Sequence, residues 1–181
     1  MSQTMAIAAV TLTLRSLFER AFASEAQARS PGDVLITTLP VDRARNVHHR
    51  GQLNLTLATV VESASMRNTV GLGQRAGSAA GAAGTQTLDL LYLMTAYGPD
   101  DDEVGAQRVL GAALRAVHQQ PVLPSIDLDA LFPGNGATGR LDEVRVMQAT
   151  LSREQIVAWW LAFRTPYRLS AALQVTGVNM G

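Results

Sequence analysis

The stretch Leu88-Asp-Leu-Leu-Tyr-Leu-Met-Thr-Ala-Tyr97 decides the architecture of this chain. It is apolar at nearly every position, so both of its alternating faces need cover. A strand buried on two sides sits at the centre of a sheet, with packed elements above and below it. Gly98 and Pro99 end the strand. The acidic run Asp100-Asp-Asp-Glu103 then reads as a helix start, where carboxylates complement the helix dipole and cap free N–H groups. Val109, Leu110, Ala113, Leu114 and Val117 recur at helical spacing, and Pro121 stops that helix.

Working towards the N-terminus, Leu53, Leu55 and Leu57 alternate with Asn54, Thr56 and Ala58, which reads as a half-buried strand. A second strand, Val34 to Pro40, precedes it across the polar, basic link Val41 to Gln52. Ile7, Val10, Leu14, Leu17, Phe18 and Ala21 form one stripe of a first helix. Arg15, Glu19 and Arg20 and the lack of a basic leader segment argue against a signal peptide there. Between the strand pair and the central strand, Gly71 to Thr87 holds little but small and polar residues, so a flexible loop is expected.

Towards the C-terminus, Glu143 to Leu151 reads as a strand, and Ser152 with Gln155 makes a capping box for a last helix. Ile156, Trp159, Trp160 and Phe163 share a stripe of that helix, and Pro166 ends it. The period then changes to two, with Tyr167, Leu169, Ala171, Leu173 and Val175 on one side. Arg168 lies on the other. The elements run α-β-β-β-α-β-α-β. The expected fold is therefore α+β, with a mostly antiparallel or mixed sheet of about five strands and three packed helices, in one domain over 1–181.

Composition narrows function by exclusion. The chain has 181 residues, 47% of them hydrophobic, with 15 basic residues against 15 acidic. A balanced charge gives no field to hold nucleic acid, and no run reaches the roughly 18 apolar residues of a membrane span. Every basic residue is arginine, a side chain favoured at interfaces. Without cysteine there is no disulfide or thiolate chemistry. His48-His49 and His118 lack ligand spacing for a metal. The glycines of Gly71-Leu-Gly-Gln-Arg-Ala-Gly77 lack a strand-to-helix context, and no serine sits in a nucleophile elbow. No cofactor, metal or catalytic residue is expected.

Trp159 and Trp160 are adjacent, so on a helix they point about 100° apart. Both are buried only if two surfaces cover the helix, which suggests a partner.

Three segments together carry a family resemblance: Leu53 to Asn68, Leu88 to Leu114 and Leu151 to Val175. They combine a leucine-rich strand ending in Arg67-Asn68, a "LDLLYLMTAYG" strand running into an acidic helix start, and a Trp-bearing helix followed by "YRLS". In order and spacing the chain resembles the cap, or tail-terminator, proteins of phage-tail-like contractile injection systems. Ala58, Glu62-Ser63 and Leu173 depart from that pattern. The resemblance implies a structural protein that forms a homo-hexameric ring on the end of the stacked tube and sheath. It would contact itself and the tube and sheath proteins, in a particle assembled in the cytoplasm. Trp159, Trp160, Tyr167, Arg168, Arg67 and Asn68 are the candidate interface residues. A small-molecule binding module using the Trp/Tyr cluster, or another adaptor of the same particle, are the alternatives.

Overall fold

A computed structural model describes residues 5–26, 33–45, 49–63, 86–136 and 138–180, except for the side chains of 24–26. The flexible-loop expectation over 71–87, apart from its last two residues, lies outside the described residues, as do Arg67, Asn68 and His48.

The strands are β1 (Val34–Thr37), β2 (Gly51–Glu62), β3 (Thr87–Tyr97), β4 (Ile126–Asp127), β5 (Arg140–Leu141), β6 (Arg145–Gln148) and β7 (Ser170–Asn179). The helices are α1 (Ala6–Ala26), α2 (Glu103–Gln119), a single turn α3 (Leu128–Leu131) and α4 (Arg153–Phe163). Five strands form one mixed sheet in the order β1-β2-β3-β7-β6, while β4 and β5 pair separately. As its sequence requires, β3 is central, hydrogen-bonded to β2 and β7.

One face of the sheet carries Leu53, Leu55, Leu90, Tyr92, Met94, Leu173 and Val175 against Val10, Leu14 and Phe18 of α1 and Val109, Ala113 and Val117 of α2. This is the main core, and the spacing of three and four along α1 is what turns its apolar residues onto it. The opposite face of β3 carries Leu93, which meets Val41 and Trp160 of α4 in a smaller cluster.

Several local expectations change. Neighbouring strands in the sequence suggest antiparallel pairing, yet β1 runs parallel to β2, with Val34 opposite Gly51. A parallel pair needs a crossover of about a dozen residues, and the polar link after β1 supplies it. Asn54, read as a polar alternate, and Gln52, read as the end of the polar link, are buried because they fasten that crossover to the second face. Leu39 N–H donates to Asn54 Oδ1 at 2.9 Å, and Asn54 Nδ2 donates to Leu39 O at 2.9 Å. The amide thus imitates one more pair of backbone ladder bonds and holds Val41 beneath Trp160.

The acidic run only partly enters its helix. Asp100 and Asp101 sit in a 3-10 turn over Pro99–Asp101, both left-handed at φ 51° and 62°. Asp102 is the true cap of α2, accepting from Val104 N and Gly105 N. The strand expected over 143–151 is confined to β6, since Glu143 is itself left-handed at φ 57°. Thr87, expected in the loop, is a buried residue of β3.

Candidate functional site

The capping box at the start of α4 is formed: Gln155 N donates to Ser152 Oγ at 3.2 Å, and Ser152 N donates to Gln155 Oε1 at 2.8 Å. Arg164, at φ 52°, turns the chain out of the helix, and Pro166 keeps it from resuming. Between these ends only Trp160 is buried, at 4% exposure. Its indole packs on Leu93 and Val41, and its Nε1–H donates to Ser170 Oγ at 3.4 Å. Phe163 and Tyr167 meet the Trp160 ring edge-on, at centroid distances of 6.5 and 5.5 Å.

The two tryptophans separate as their spacing dictates. Trp160 faces the sheet, and Trp159 is half-buried at the margin of the same cluster, with Ile156 and Phe163. Tyr167 differs from expectation. It does not belong to the last strand, because β7 begins at Ser170; it lies in the connection, 61% exposed, leaning on Trp160. The alternation read from Tyr167 onwards holds from Leu169 on, where Leu169, Ala171, Leu173 and Val175 pack on the main core.

Arg168 is half-buried beside a shallow groove formed with Tyr97, Gly98, Asp101 and Glu103. Arg45 lies on the same tyrosine, its guanidinium 5.2 Å from the Tyr97 ring centre, and donates to Gly98 O at 2.8 Å. Burial pushes the Tyr97 phenol above its ordinary value, and the charges of Arg168 and Arg45 pull it partly back. Trp160, Tyr167 and Arg168 thus gather around one end of the sheet.

What the sequence did not single out is the outer side of α4. Val157 is 47% and Leu161 72% exposed, four residues apart on one stripe. The visible signal is that the helix is apolar all round, which in a water-facing element points to a missing cover. Among the described residues no group of three His, Cys, Asp or Glu could hold a metal ion, and no helix is long and apolar enough to cross a membrane.

The fold is thus a three-layer α+β domain whose outer helix, seated on the sheet through Trp160, leaves Val157 and Leu161 exposed. The family model of the Pvc16 N-terminal domain matches residues 9–181. The chain belongs to that family. Among solved structures, it is similar to the sheath/tube terminator of the PVC extracellular contractile injection system in its extended state, at 18% identity, covering 89% of this chain and 54% of that one, with a TM-score of 0.49. It is also similar to the tube-terminating cap of the anti-feeding prophage, at 17% identity, covering 89% of this chain and 52% of that one, with a TM-score of 0.47. The chain spans about half the length of these two structures. No curated protein matches the sequence.

Proposed function

We propose that this chain is a structural cap, the tail terminator of a contractile injection system. Six copies form a ring on the end of the tube and sheath, ending their growth and stabilising the last layer. It performs no catalysis, and assembly takes place in the cytoplasm. Membership of the Pvc16 N-terminal domain family over residues 9–181 carries the reading. The exposed apolar surface of α4 supports it, since a subunit that works by packing against others keeps such surface uncovered in isolation. Tyr167, which follows the helix cap, the half-buried Trp159 on the other flank of α4, and Arg168 beside the acidic turn are assigned to subunit contacts as well, while Trp160 anchors the helix to the sheet.

The test is imaging of particles carrying an epitope-tagged copy. The tag is expected at one end only, in six-fold register, and deletion of the gene is expected to leave tubes of uneven length. Particle ends lacking the tag would overturn the proposal.

A further inference from the structure

Arg153, Val157, Leu161 and Arg164 follow one another at intervals of four, four and three along α4 and its cap, so they share a single face. All four are exposed. The face is therefore an aliphatic pair bracketed by two guanidinium groups, with the exposed Tyr167 ring following the cap. Glu154 is the only acid between Ser152 and Val175. Neither Arg153 nor Arg164 has an ion-pair partner among the described residues.

A second surface of the same chain has the opposite character. The turn Gly98 to Asp102 is wound tightly: a Cβ on Gly98 would lie 1.8 Å from Asp102 O. Asp100 and Asp101 are held left-handed, and Arg45 braces the turn from below through Gly98 O. The result is a fixed knob with Asp100, Asp101 and Glu103 exposed and Val104, 63% exposed, next to them. Asp100 and Glu103 likewise have no ion-pair partner among the described residues. One surface offers two exposed aliphatic side chains between cations, and the other an exposed valine among anions.

We infer that the occupant of the α4 face is the acidic turn of a second copy of this chain, with Leu161 and Val157 packed on Val104 and the two arginines engaging Asp100 and Glu103. Arginine forks match carboxylates in pairs, so the contact fixes orientation as well as proximity. Because the two patches differ, each copy offers one and receives the other; such a head-to-tail contact propagates into a ring or a filament. The inference rests on the reading of the chain as a ring-forming subunit and names the surfaces that join its copies.

The chain has no cysteine of its own, so disulfide trapping is clean. Leu161→Cys and Val104→Cys variants are mixed, free in solution and on particle ends, and oxidised. A mixed dimer is expected, in clear excess over a control pairing of Leu161→Cys with Gly111→Cys. Adding Arg153→Glu and Arg164→Glu to the first variant should reduce the product at least tenfold. Adding Asp100→Arg and Glu103→Arg to the second should restore it. Thermal unfolding of each charge variant checks that these exposed substitutions leave the subunit folded. If one unfolds, Arg153→Gln with Arg164→Gln takes its place and should reduce the product in the same way. No mixed dimer in either setting, or only symmetric Leu161→Cys dimers, would overturn the inference. So would trapping of Leu161→Cys on a tube or sheath protein, an outcome that leaves the cap reading intact. A mixed dimer from protein that is missing from particle ends would instead sink the cap reading and keep the contact.

Discussion

The Tyr92 hydroxyl lies 2.8 Å from Thr11 Oγ1, tying the central strand to the first helix across 81 residues of chain. Tyr92 is fully buried. Burial pushes its phenol from 10.0 up to about 12, and the Thr11 hydroxyl offsets part of this by offering the ionised form a hydrogen bond. In the unfolded chain the same phenol ionises near its ordinary value, about 10. Above that value the unfolded state holds fewer protons than the native state, so stability falls as pH rises. The contribution is complete below about pH 10, and roughly 2–3 kcal/mol of it is lost by about pH 12. Urea unfolding across that window should show the loss in the native chain and a shallower one in Tyr92→Phe. At about pH 8 the variant should be weaker by about 1 kcal/mol, from the missing hydrogen bond. Equal alkaline slopes in the two proteins would assign the loss to other groups.

Gly98 and Gly111 should respond to alanine in opposite directions. A Cβ at Gly98 would meet Asp102 O at 1.8 Å and Ala106 N at 2.8 Å, both backbone atoms with nowhere to go. Gly98→Ala should cost about 3 kcal/mol or more, at the top of the range for overpacking. Gly111 lies mid-helix in α2 with nothing within 4 Å of its added carbon. Gly111→Ala should therefore stabilise by about 0.5–1 kcal/mol, through reduced chain entropy and better helix propensity. Thermal melts decide both, and a neutral Gly98→Ala would mean that the acidic turn is not packed as described.

The Asn54 staple predicts a local effect. Asn54→Leu keeps the size but removes the partner of Leu39 N–H, while Leu39 O keeps Thr56 Oγ1 at 3.1 Å. An orphaned amide costs about 1–3 kcal/mol. Hydrogen exchange should show the Leu39 amide losing protection while the amides of β3 keep theirs. Unchanged protection at Leu39 would mean that the crossover is held by other contacts.

Why some of this was legible and some not follows from where the information lies. Leu88 to Tyr97 announces its central place because two-sided burial writes itself into ten consecutive side chains. The stripe of α1 and the capping box of α4 are equally local. Strand direction is not local: the pattern of Val34 to Thr37 is the same for a parallel or an antiparallel partner, and only the crossover decides. Asn54 misleads for a related reason, since a buried amide is explained by Leu39, 15 residues earlier, and by no feature of its own strand. Tyr167 continues a period of two that the backbone has not yet adopted, because the exit from α4 runs from Arg164 to the start of β7 at Ser170. The outer face of α4 lies beyond single-chain logic altogether: Val157 and Leu161 look like core residues yet are exposed, and the proposed cover is a second copy of the chain.

The adjacent tryptophans give the sharpest separation of folding from assembly. Trp160 is the one buried residue of an 11-residue helix; its ring joins Leu93 and Val41, and Phe163 and Tyr167 pack on its edges. Trp160→Ala should remove roughly 3–5 kcal/mol, the range for large core aromatics, and loosen α4 from the sheet. Trp159 is half-buried at the margin, so Trp159→Ala should cost the subunit only about 1 kcal/mol, as for substitutions away from a packed core. At the proposed ring contact the order reverses. Trp159→Ala and Tyr167→Ala should weaken incorporation into particles by about 2 kcal/mol or more, as interface hot spots do, while melting close to the native subunit. The measurement pairs thermal unfolding of each purified variant with the amount retained on particle ends. If Trp159→Ala and Trp160→Ala unfold the subunit equally, both rings are core, and α4 presents no aromatic to its neighbour.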